Sequence, residues 1–121
     1  GLPYAELGVN TVGMTLLAHE ETIRAQGDLV RRFVRASVRS IEEAMRNPDQ
    51  AVEAGLRFKP DADRDLLMGQ LRVSLGLVHS PATQGQPVGM ASPQDYERTL
   101  KIMKEFRDLQ TDRDAASFFT N

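Results

Sequence analysis

The chain has 121 residues, a formal net charge of -2 and no cysteine. A chain of this length suits one core and buries about 65% of the surface its unfolded form exposes. The charge balance argues against a phosphate-backbone partner, which needs a basic excess. The absence of Cys removes disulfides, thiolate nucleophiles and Cys-based zinc sites together. No apolar run approaches the ~18 residues of a membrane span. With no initiator Met and no signal-peptide pattern, a mature, processed or excised chain is expected.

The turn-rich opening, residues 1–10, leads into Thr11 to Ala18, a continuous apolar run carrying Thr11, Val12 and Thr15. Its length and β-branched content predict a buried strand. His19 to Gln26 has the composition of a short helix, closed by Gly27 in a left-handed conformation. Asp28 is an N-cap for the next helix, in which Val30, Phe33, Val34, Ser37, Ile41, Ala44 and Met45 fall at steps of three and four. Arg31, Arg32, Arg35 and Arg39, alternating with Glu42 and Glu43, read as its solvated face.

Asn47 and Pro48 end that helix and start another over Asp49 to Leu56. Asp61 or Asp63 caps a helix through about Val78, with Leu67, Leu71, Ser74, Leu75 and Val78 on its buried side. Pro81, Gly85, Pro87 and Gly89 then break any period, so Ser80 to Ala91 is a loop. Ser92, Pro93 and Asp95 form a near capping box for the last long helix, Pro93 to about Leu109. Phe118 and Phe119 are too apolar to stay in water and are expected to dock. The residues alone thus describe a mainly α chain with one or two short strands. A single buried strand cannot satisfy its own backbone, so self-association through that strand is expected.

Catalytic chemistry has no constellation to rest on. His19 and His79 lie far apart with no third ligand at metal spacing, Ser80 beside His79 lacks an elbow motif, and Gly85 with Gly89 lacks the Lys and Ser or Thr of a phosphate loop. No enzyme activity, cofactor or metal is expected.

One ordered set of motifs resembles a known family. Gly8-Val9-Asn10 precedes the apolar run; Glu20-Glu21-Thr22-Ile23, Asp28 to Ala36 and Asn47-Pro48 follow it. Pro87 to Met90 then precedes Ser92 to Tyr96, and Phe119-Thr120-Asn121 closes the series. Their order and spacing resemble the solute-binding proteins of ABC importers, in the branch that binds thiamine pyrimidine, riboflavin, alkanesulfonates and nitrate.

That resemblance implies a fragment of a two-lobed periplasmic-binding-protein type II α/β fold, with residues 1–18 as the interlobe crossing segment and strand, and residues 19–121 as the helical C-terminal part of the first lobe. It implies capture of a small aminopyrimidine-, flavin- or sulfonate-like ligand, presentation to a membrane permease, and a periplasmic or extracytoplasmic, membrane-associated location. It makes Tyr4 and Glu6 candidate ligand residues, since a Tyr stacks on a flat heterocycle and a carboxylate accepts from a ring or exocyclic N–H. Asn10, offering a donor and an acceptor, is a third candidate, and Met90 and Gln86 in the long loop are two weaker ones. A fungal branch of the same fold makes the thiamine pyrimidine, with a His and metal-binding residues that have no counterpart in this sequence. The alternative to a transport role is a free-standing helical protein-interaction module, which needs no strand at Thr11 to Ala18.

Overall fold

The computed structural model describes residues 4–9 and 11–121, with the backbone alone for Ala5 and Glu6. Five α-helices are present among them: α1 (Glu20–Ala25), α2 (Gly27–Arg46), α3 (Pro48–Phe58), α4 (Arg64–Gly76) and α5 (Pro93–Phe106). Short 3-10 turns occupy Tyr4–Leu7 and Ala115–Phe118.

The expected strand is absent: the described residues contain no strand, and Thr11 to Ala18 runs without regular structure. This corrects the expectation of a mainly α chain with one or two strands, and with it the type II α/β assignment for this chain. The physical reason lies in pairing. A strand is defined by its ladder, and the described residues offer no second extended segment beside this one. Its apolar side chains are not buried either, since Met14 and Leu17 are 90% and 91% exposed. Self-association was inferred from the strand and loses that basis.

The chain divides into two compact units, one formed by Leu16–His79 and the other by the chain up to Thr15 with Ser80–Asn121. In the first, α2 packs against α1, α3 and α4, and α3 against α4. His19 caps α1 through Nδ1, which accepts from the Glu21 N–H at 3.2 Å. Gly27 does not close α1 with a left-handed turn; it is the first residue of α2. Gln26 holds the N-cap position without a side-chain bond, so Asp28 sits inside the first turn and pairs with Arg31. The carboxylate there still opposes the positive end of the helix dipole.

Pro48 opens α3, where its missing N–H costs nothing. Asp63 caps α4 by accepting from the Leu66 N–H at 2.9 Å. Arg64 bridges back to α3, donating to Asp49 at 2.8 Å and Glu53 at 3.0 Å. Those two hydrogen bonds, Asp49 first, hold its guanidinium above the ordinary arginine pKa. The bridge is open to solvent and fixes the register of α3 on α4 more than it stabilises them.

The core of this unit is thin. Val52 on α3 and Met68 on α4 are its buried apolar side chains, 3% and 8% exposed. The expected stripe of α2 is only partly covered: Val30, Ser37, Ile41 and Ala44 are half-buried, whereas Phe33, Val34 and Met45 remain exposed. On α4, Leu67, Leu71 and Leu75 are half-buried as the period requires, Met68 is deeper, and Ser74 faces water.

In the other unit, α5 packs against the Ala115–Phe118 turn, which buries Ala115. The α5 helix stops at Phe106, three residues short of the expected end, with Asp108 in the left-handed region at φ 52°.

Val52→Ala is expected to cost about 1–2 kcal/mol, from two lost methyl groups at ~0.8 kcal/mol each. Leu17→Ser should stay within about 0.5 kcal/mol, since its site faces solvent. Thermal loss of helicity at 222 nm checks both, and a neutral Val52→Ala would show that α3 does not carry the core.

Candidate functional site

Tyr4 opens the first 3-10 turn, and the turn closes through a bond from the Val9 N–H to the Tyr4 carbonyl at 3.0 Å. Gly8, at φ 82°, makes that closure possible, because it occupies the left-handed position that ends a helical turn. The Tyr4 ring is 72% exposed and stands free for a flat partner. Glu6 lies on the same turn, but its side chain and the whole of Asn10 lie outside the described residues. Of the three candidates, the structure describes the side chain of Tyr4 alone.

Three residues beyond Val9, the chain meets a polar thread that sequence spacing could not reveal. The Val12 N–H donates to Thr99 Oγ1 at 2.8 Å, and the Thr99 hydroxyl donates to the Asp95 carbonyl at 2.8 Å. The Asp95 carboxylate in turn accepts from Ser80 Oγ, and the Ser80 N–H donates to Thr83 Oγ1 at 2.9 Å. Thr83 is 6% exposed, and no buried polar side-chain atom among the described residues lacks a partner.

This thread revises the expected capping box. Ser92 is buried at the α5 N-cap but makes no side-chain capping bond, and Asp95 turns its carboxylate to the loop instead. Loop 80–91 is thereby pinned at its start. Thr83 and Pro87 carbonyls accept from the Gln86 and Met90 N–H groups at 3.1 and 3.3 Å, so the two weaker candidates sit on successive tight turns.

The far end of the loop is fastened by the tail. Asn121 receives the Ala91 N–H at 2.8 Å on Oδ1 and donates through Nδ2 to the Ala91 carbonyl at 3.3 Å, imitating a strand pair with one side chain. Phe119 stacks on Tyr96 with ring centroids 4.7 Å apart, and the Arg113 guanidinium lies 5.3 Å from the Phe118 ring centre. The expected docking is observed for Phe119 within this unit, whereas Phe118 stays 41% exposed beside the Arg113 guanidinium. Ring stacking of this kind contributes ~1 kcal/mol beyond the area it buries.

Each unit also has an open groove. One, of about 1090 Å³, follows α2 and the start of α3 past Arg35, Arg39, Glu42 and Gln50. The other, of about 650 Å³, lies between α5 and the tail, past Lys101, Lys104 and Arg113. Tyr4 lines neither. Among the described residues no cluster of three His, Cys, Asp or Glu side chains could hold a metal ion, and no helix is long and apolar enough to cross a membrane.

Residues 2–51 match the family described as NMT1/THI5 like. The chain is 34% identical over 109 residues to the riboflavin-binding protein RibY of Chloroflexus aurantiacus (strain ATCC 29366 / DSM 635 / J-10-fl), an alignment covering 87% of this chain and 31% of that protein. The chain thus spans about a third of the length of the curated relative it matches. No solved structure matches it.

Asn121→Ala is expected to raise the exchange rate of the Ala91 amide several-fold, by about the factor one lost hydrogen bond carries. Amide exchange followed by NMR reads this directly, and an unchanged rate would show that the Asn121 clamp does not hold in solution.

Proposed function

We propose, from the match of residues 2–51 to the NMT1/THI5-like family and the similarity to a riboflavin-binding protein, that this chain supplies part of a solute-binding protein that captures a flavin-like solute for an importer. The observation that carries this is the 34% identity over 109 residues to a riboflavin-binding protein. Residues 1–18 would form the segment crossing between two lobes, and residues 19–121 the helical part of one lobe. Ligand would be held where Tyr4 can stack on a fused ring, with Glu6 and Asn10 supplying hydrogen bonds to its polar edge. Capture would work by closure around the solute, the closed state being favoured only by what the ligand contributes to it. An extracytoplasmic location and a membrane permease as partner follow from the same role.

Two features support the placement of Tyr4. Its side chain is 72% exposed, and its turn is held in a defined shape by Gly8 and the Val9 N–H. The helical interaction module stays as a second reading because the strand that would have separated the two is missing. It leaves the similarity to a riboflavin binder without explanation, and Thr11 to Ala18 does not join a helical bundle in its place.

Titration with riboflavin, an aminopyrimidine and an alkanesulfonate is expected to give saturable quenching of flavin fluorescence and no competition from the other two. Tyr4→Ala should weaken riboflavin binding about two- to twelvefold, by loss of ~0.5–1.5 kcal/mol of stacking. Binding of the pyrimidine or sulfonate in preference would replace the ligand class. Saturable binding of none of the three would favour the interaction module.

A further inference from the structure

We infer that Thr99 is the positioning residue for the ligand-bearing N-terminal segment, anchoring it to α5 through the Val12 backbone; this rests on the ligand site proposed for Tyr4, Glu6 and Asn10. Val12 is the first residue after the Tyr4 turn with a long-range hydrogen bond among the described residues, and its partner is 87 positions away in sequence. The contact is part-buried, so water competes for it less than for the exposed bonds of the turn.

The Thr99 hydroxyl is used twice. It accepts from Val12 and donates to the Asp95 carbonyl, both at 2.8 Å, so its proton is committed toward α5 and its lone pair toward Val12. Asp95 is itself held by Ser80, which continues the thread into loop 80–91. Thr99 thus fastens residues 4–12 to α5, and Asp95, one turn earlier, fastens loop 80–91 to the same helix through its carboxylate; these two segments carry all five candidate ligand residues.

The anchoring role requires a hydroxyl at this position. Val has the shape of Thr but neither donor nor acceptor, and would leave a part-buried Val12 N–H without its partner. Ser keeps the hydroxyl and loses only a methyl group. A residue acting merely as packing would tolerate the change to Val and suffer from the change to Ser; the anchoring role requires the opposite order.

The test uses the full chain with Thr99→Val and Thr99→Ser, riboflavin as the probe, and amide exchange at Val12 as a readout independent of ligand. Thermal melts at 222 nm confirm that each variant folds. Thr99→Val is expected to accelerate Val12 exchange and to weaken riboflavin binding about five- to tenfold, the effect of one hydrogen bond, while Thr99→Ser restores both. Wild-type exchange at Val12 in Thr99→Val, or wild-type riboflavin affinity in that variant, overturns the proposal. If the wild-type chain binds no riboflavin, the flavin assignment fails by itself. Val12 exchange then decides the anchor: protection lost in Thr99→Val and regained in Thr99→Ser supports it, and any other pattern overturns it.

Discussion

Scarcity of buried apolar surface is the constraint from which the rest of this structure follows. Val52, Met68 and Ala115 are the buried apolar residues among those described, and none of them is fully enclosed. At ~25 cal/mol per Å² of apolar area, so small a core leaves little to offset the conformational entropy of ordering the chain. Position must then be fixed by directed bonds. The Arg64 bridge sets α4 on α3, the Asp63 cap starts α4, and the Thr99, Asp95 and Ser80 thread holds the candidate segment and the long loop to α5.

The same scarcity explains what the chain leaves in water. Phe33 on α2 and Leu66 on α4 are each 60% exposed, and Met14 and Leu17 are almost bare. Single exposed apolar residues need no explanation, but this many in one chain do. The curated relative that the chain matches is about three times as long as the matched part.

Much of the helical framework was legible in the sequence. The three- and four-residue spacing from Val30 to Met45 marks α2, and Pro48 and Pro93 mark the starts of α3 and α5 because proline suits a first helical position. Asp63 was readable as a cap for the same local reason. Most of the failures are non-local. Thr11 to Ala18 has strand composition, but composition cannot supply the neighbouring strand that would complete a ladder, and the Val12 N–H finds the Thr99 hydroxyl instead. Gly27 was read as a helix closer, though a glycine also fits the first position of a helix. Asp95 was assigned to its own helix end, whereas Ser80, fifteen residues earlier, claims its carboxylate. Of the candidate site, Tyr4 is reached only through the family resemblance; Thr99 is not reached from sequence at all, because a threonine in mid-helix carries no signal that it receives a distant amide.

The claim that directed bonds rather than a core hold this chain is tested most directly by urea unfolding. The slope of stability against urea scales with the surface that unfolding exposes, and small proteins with ordinary cores fall at about 1–3 kcal/mol per molar. A broad transition with a slope clearly below ~1 kcal/mol per molar is expected for the full chain. A single steep transition within the ordinary range would contradict it, by showing that far more apolar surface is buried than Val52, Met68 and Ala115 provide.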